Sequence, residues 1–115
     1  MARLSIRIDF EPGGRVGPGK IALLERITAT GSISAAGRAM GMSYRRAWLL
    51  VETLNALFRE PVVSTQTGGK SGGGAVLTPF GTELVAVYRA LERELHDHAS
   101  GSLAALEDHL RDSVR

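Results

Sequence analysis

Cysteine is missing from this 115-residue chain, so disulfides and thiolate metal sites are not open to it, and a reducing compartment fits. No apolar run approaches transmembrane length, and the opening residues MARLSIRIDFEPGG lack the long apolar core and small cleavage-site residues of a signal peptide. A cytoplasmic protein without a membrane partner is therefore expected. Aromatic residues are only 5% of the chain, which points to a small core and gives a physical reason to expect self-association. Also lacking is any nucleophile, base and orienting residue in a recognisable pattern; no serine sits in a nucleophile elbow, so no enzymatic activity is expected. His96 and His98 are two apart and do not face each other on a helix, and with His109 they make no metal site.

What is present is unevenly charged. Residues 1–80 hold ten cations against five anions, a net of +5, whereas residues 81–115 hold four against seven, a net of −3. A basic first half suits a polyanionic partner. The length allows one domain with an appended helical arm.

The most informative stretch is SISAAGRAMGMSYRRAWLLVETLNALF, residues 32–58. It reads as two helices joined by a turn at Gly41, where a positive φ costs glycine nothing. Ser32 suits the cap of the first helix, whose inner face is Ile33, Ala36 and Met40, and Gly37 permits a close helix crossing. Met42 fills the corner. Ser43 caps the second helix, whose buried stripe is Ala47, Leu50, Val51, Leu54 and Leu57/Phe58. Tyr44, Arg45, Trp48, Leu49 and Glu52 fall on the other side. A basic, hydroxyl-rich helix start after a glycine turn is what a helix-turn-helix presents to the major groove of DNA.

The flanks complete a plan. Leu4 to Phe10 alternates apolar and polar as a half-buried strand, and Glu11 to Gly19, with four glycines and two prolines, reads as a loop that Pro18 closes. Lys20 opens a helix with Ile21, Leu23, Leu24, Ile27 and Thr28 along its apolar side, and Gly31 ends it. Pro61 stops the 44–58 helix; residues 61–66 and 75–77 read as the strands of a hairpin whose tip is Thr67-Gly68-Gly69-Lys70-Ser71-Gly72-Gly73-Gly74. A hairpin in that position is the wing of a winged helix. Thr78-Pro79 is a cap and first-turn pair that starts another helix, where Leu84, Tyr88, Leu91, Leu95 and His98 follow a four-three-four-three spacing suited to packing along a second helix. Gly101 is expected to interrupt it, with Leu103, Leu106, Leu110 and Val114 marking a last short helix.

The fold expected is thus mainly α with a small β-hairpin wing: a winged helix-turn-helix over residues 1–78 and a helical dimerisation arm over 79–115, with Leu84, Tyr88, Leu91 and Leu95 as the dimer contacts. The residues expected at DNA are Ser32, Ser43, Tyr44, Arg45, Arg46, Trp48, Thr67, Lys70 and Ser71. Arg45 and Arg46 point about 100° apart. Arg45, farther from the buried stripe, is assigned a guanine edge and Arg46 a phosphate. Ser43 serves as cap, as phosphate contact, or both. Tyr44 suits a phosphate or a thymine methyl, and Trp48 suits packing under the wing more than base contact. Thr67, Lys70 and Ser71 would grip a sugar-phosphate rail, against the alternative of a tip without function. Gly69-Lys70-Ser71 is not a Walker A loop, because the required glycine would fall at Ser64 and no helix follows.

Gly31-Ser32-Ile33-Ser34, Gly41-Met42-Ser43-Tyr44 with Ala47-Trp48, and Thr67 to Thr78 (TGGKSGGGAVLT), in this order, resemble the N-terminal DNA-binding domain of the molybdate-responsive regulator family, ModE. The resemblance runs from the first strand to about residue 98 and implies a LysR-like winged helix that dimerises. Full-length members carry C-terminal oligomer-binding-like domains that hold molybdate, and nothing after residue 98 suits such a barrel. No cofactor and no tight molybdate binding are therefore expected of this chain. The function expected is sequence-specific binding of a palindromic operator in double-stranded DNA by a homodimer, with regulation of transcription as the outcome; the alternative is a winged-helix protein-interaction module that does not bind DNA.

Overall fold

Two glycines set the corners of the helical part. In the computed structural model, which describes residues 2–11, 13–66 and 74–111, Gly31 (φ 76°) and Gly41 (φ 71°) occupy the left-handed region that other residues avoid. Helix α1 (Pro18–Thr30) starts on a proline in its first turn and ends at Gly31, whose amide closes on the Ile27 carbonyl at 2.7 Å. Helix α2 (Ile33–Ala39) is capped by Ser32, whose Oγ accepts the Ala35 amide at 2.8 Å. After the turn at Gly41, Ser43 Oγ accepts the Arg46 amide at 3.1 Å and starts helix α3 (Tyr44–Leu57). Gly37 sits where α2 meets α3, and a methyl group there would stand 2.9 Å from Ala47 Cβ. The helix-turn-helix expected from the sequence is present.

The strands β3 (Val63–Gln66) and β4 (Gly74–Leu77) form an antiparallel hairpin with Val63 opposite Leu77 and Gln66 opposite Gly74. Thr78 Oγ accepts the Gly81 amide at 2.9 Å and starts helix α4 (Pro79–Glu107). The chain is thus mainly helical with a small hairpin, in the order and placement of a winged helix. Its core joins Ile21, Leu24 and Ile27 of α1, Ala36 of α2, Ala47, Val51 and Leu54 of α3, and Val62 to Tyr88. Phe58 links Phe10 and Phe80 by edge contacts at 5.7 and 5.0 Å between ring centres.

Three expectations are corrected. The strand read over residues 4–10 pairs only at β1 (Ile8–Asp9), with β2 (Arg15–Val16), inside the segment expected to be a loop. The burial of residues 4–10 does alternate as the sequence implied. The ladder stops because Gly17 and Pro18 turn the partner strand straight into α1, so Ile6 has no strand to pair with. Its carbonyl accepts the Tyr88 hydroxyl at 2.6 Å instead. The helix expected to begin at Lys20 begins at Pro18, the residue expected to close the loop.

The third correction concerns Gly101, which interrupts nothing. Helix α4 runs through it to Glu107, and Gly101 is not among the glycines with positive φ. One glycine costs a helix about 1 kcal/mol, and the flanking Leu103-Ala104-Ala105-Leu106 favours helix strongly enough to carry it. Among the described residues no separate last helix follows Glu107, and Val114 lies outside them. Among the described residues, no helix is long and apolar enough to cross a membrane.

Candidate nucleic-acid interface

The outer face of α3 carries Tyr44, Arg45, Trp48, Leu49 and Glu52 around one open groove. The face follows from helix periodicity: Ala47, Val51 and Leu54 turn inward and are buried, so residues at the complementary positions turn out. Tyr44 is 60% exposed and Leu49 57%, while Trp48 is half-buried and meets the Tyr44 ring edge-on at 6.1 Å. The Trp48 indole nitrogen is buried without a hydrogen-bond partner among the described residues. Trp48 packs against the core rather than standing free.

Both arginines are exposed, but only Arg45 lines the groove. Neither serves the helix. The first turn of α3 carries no acidic residue, and two cations at the positive end of a helix macrodipole are of the wrong sign for stability, each by roughly 0.3–1 kcal/mol. An anion placed there would offset that cost. Ser43 uses its Oγ on the Arg46 amide, so its capping role is occupied. Ser32 likewise caps α2. Arg38, in the last turn of α2, donates to Ser34 Oγ at 3.2 Å and adds a third guanidinium to the helix-turn-helix.

Two attachments aim the hairpin, and neither was anticipated from sequence. Asn55 of α3 accepts the Val62 and Val63 amides on Oδ1 at 2.7 and 3.1 Å and donates from Nδ2 to the Val63 carbonyl at 3.2 Å. On the other strand, the Ala75 amide donates to the Gly31 carbonyl at 2.9 Å. Hence β3 is tied to the helix with the arginines, and β4 to the turn before α2. The signal for Asn55 was a lone amide beside the apolar stripe, between Leu54 and Leu57. Thr67, Lys70 and Ser71, expected at the tip, lie outside the described residues.

Helix α4 supplies the remaining candidates. Tyr88, expected at a dimer contact, is only 1% exposed and spends its hydroxyl on Ile6, so it serves the chain's own core. A seam of leucines every three or four residues does not tell which chain the helix packs on, and here its first turns pack inward. Leu84 and Leu91 are half-buried and Leu95 exposed; Val87 and Leu106 add further exposed apolar surface. Arg89 joins α4 to α1 through a two-pronged pair with Glu25 at 2.7 and 3.1 Å, and it also meets Glu92 at 2.6 Å. The Arg89 guanidinium holds the Glu25 carboxyl below the usual carboxylate range, and the two carboxylates raise Arg89 in turn. Among the described residues, no three His, Cys, Asp or Glu side chains come together to hold a metal.

Comparison with characterised proteins returns one group of regulators and molybdenum proteins. The chain is 54% identical over 80 residues to the molybdenum-pterin-binding protein MopB of Rhodobacter capsulatus, covering 70% of this chain and 30% of that one. It is 43% identical over 94 residues to the molybdenum transport protein ModE of Azotobacter vinelandii, 82% of this chain and 34% of that one. With the DNA-binding transcriptional dual regulator ModE of Escherichia coli it shares 43% identity over 74 residues, 64% of this chain and 28% of that one. The chain thus spans about a third of the length of the curated relatives it matches. No protein-family profile matches it.

Proposed function

We propose that this chain is the DNA-reading part of a transcriptional regulator of the ModE kind, binding double-stranded DNA through α3 and the β3–β4 wing. The observation that carries the reading is the outer face of α3. Its first turn bears Arg45 and Arg46 at a helix N-terminus and holds no acidic residue, so the two cations disfavour the isolated helix and favour an anion. The resemblance to proteins named as transcriptional regulators, one of them as DNA-binding, supports the same reading.

In this mode the N-terminal turns of α3 enter the major groove, Arg45 meets a guanine edge, and Arg46 meets phosphate. The wing lies along the neighbouring backbone, held in place by Asn55 and the Gly31 carbonyl. Residues 1–78 form the reading head. Residues 79–115 form an arm whose exposed apolar side, with Val87, Leu95 and Leu106, meets a second copy. Two copies related by a two-fold axis would place two α3 helices on a palindromic operator, with half-sites one or two helical turns apart.

The deciding experiment is a fluorescence-anisotropy titration of the chain against duplex DNA from 50 to 200 mM salt, with sedimentation equilibrium in parallel. The reading expects log K to fall linearly with log salt and the bound species to hold two chains. Absence of salt-dependent affinity for any duplex would defeat it in favour of a protein-interaction module.

A further inference from the structure

Leu49 is a large apolar side chain left 57% exposed in the middle of the helix face assigned to DNA. It contributes nothing to the core, which takes Ala47, Val51 and Leu54 from the same helix. It lines the same groove as Arg45 and Tyr44. Arg45 and Leu49 are four residues apart, so they stand one above the other on one side of the helix, about 6 Å apart along its axis. That distance is roughly two base-pair steps of a duplex.

The groove also holds Glu52, one turn beyond Trp48. A carboxylate there repels the phosphate backbone, so this part of the helix is suited to base edges rather than to the sugar-phosphate rail. A leucine neither donates nor accepts a hydrogen bond. Of the groups that the four base pairs display in the major groove, the thymine C5-methyl is the only alkyl group. Against a cytosine amino group or a purine N7, Leu49 would bury a polar group without a partner, which is unfavourable.

We propose that Leu49 determines sequence specificity by packing on the C5-methyl of a thymine within two base pairs of the guanine read by Arg45. The inference rests on the DNA-reading role above and adds to it a base that no charged residue on this face explains. Tyr44, 60% exposed and lining the same groove, would add apolar surface to that contact.

The test begins with selection of bound sites from a random duplex pool by the whole chain. Each thymine of the selected site is then replaced, one at a time, by deoxyuridine, which lacks only the methyl group. The expected result is one thymine per half-site whose replacement weakens the wild-type chain three- to tenfold. That thymine lies within two base pairs of the guanine whose preference is lost in Arg45→Ala. Leu49→Ala is expected to bind the thymine and deoxyuridine duplexes equally, and Leu49→Gln, which keeps the side-chain size, to lose the methyl effect as well. Specific binding with no deoxyuridine effect, or an effect that persists in both Leu49 variants, overturns this proposal and leaves the DNA-reading role standing. Failure to select any site overturns both.

Discussion

Asn55 Oδ1 accepts the Val62 amide at 2.7 Å, so one side chain of the third helix holds the start of the wing. The same oxygen takes the Val63 amide, and the amide nitrogen returns a bond to the Val63 carbonyl. Asn55→Ala would leave three backbone groups without their partner, and a loss of about 2 kcal/mol is expected at roughly 1 kcal/mol or less per bond. Asn55→Asp keeps the acceptor and loses the donor, so it should fall between the two. Urea unfolding midpoints of the three proteins check the order; an alanine variant as stable as wild type would show that Asn55 holds nothing.

Gly101 lies inside a helix with no atom close to where a Cβ would be. Gly101→Ala should therefore stabilise α4 by about 0.5–1 kcal/mol. The readout is a rise in helical ellipticity and a Tm higher by a few degrees. A lower Tm would mean that glycine is needed for a break at that position, as its place in the sequence first implied.

The Glu25–Arg89 pair makes stability depend on acid. Glu25 is held below the usual carboxylate range in the folded chain, by its bond to Arg89 before any other cause. Its contribution is therefore complete above the unfolded carboxylate pKa of about 4.3 and is lost as pH falls through the lower folded value. Arg89 stays charged throughout. Because Glu25 is 42% exposed, solvent screens the pair, and about 0.5–1 kcal/mol is expected at neutral pH. The stability difference between wild type and Glu25→Gln should be flat from pH 6 to 8 and vanish in acid. A difference that grows in acid would contradict the assignment.

Arg45→Ala and Lys70→Ala should separate base reading from backbone grip. Arg45→Ala is expected to lose roughly 1–3 kcal/mol of discrimination at one base pair. Lys70→Ala, at a position outside the described residues, should weaken all sequences alike and reduce the salt slope by about 1. Gel shifts over a salt series distinguish them; unchanged preference in Arg45→Ala removes it as the base reader.

Local chemistry carried much of the architecture. Ser32, Ser43 and Thr78 cap the helices that their neighbours imply, and Gly31 and Gly41 take the positive φ angles that their turns need. These are signals within four residues, so they act without any contact distant in sequence. Periodicity likewise placed Tyr44, Arg45, Trp48, Leu49 and Glu52 on the outer side of α3, since a 3.6-residue repeat leaves no other side for them.

Tertiary structure decided the rest, because those matters depend on what lies across space. Whether Ile6 belonged to a ladder depended on a partner strand that ends at Val16, and whether Tyr88 faced a second copy depended on a carbonyl 82 positions away that takes its hydroxyl. A glycine in isolation signals a break, but the helix around Gly101 was strong enough to carry it. The sequence alone determined that a basic helix would be presented after a turn. Only the folded chain decided how the wing is held beside it, since Asn55 and the Gly31 carbonyl acquire their partners when strands distant in sequence arrive.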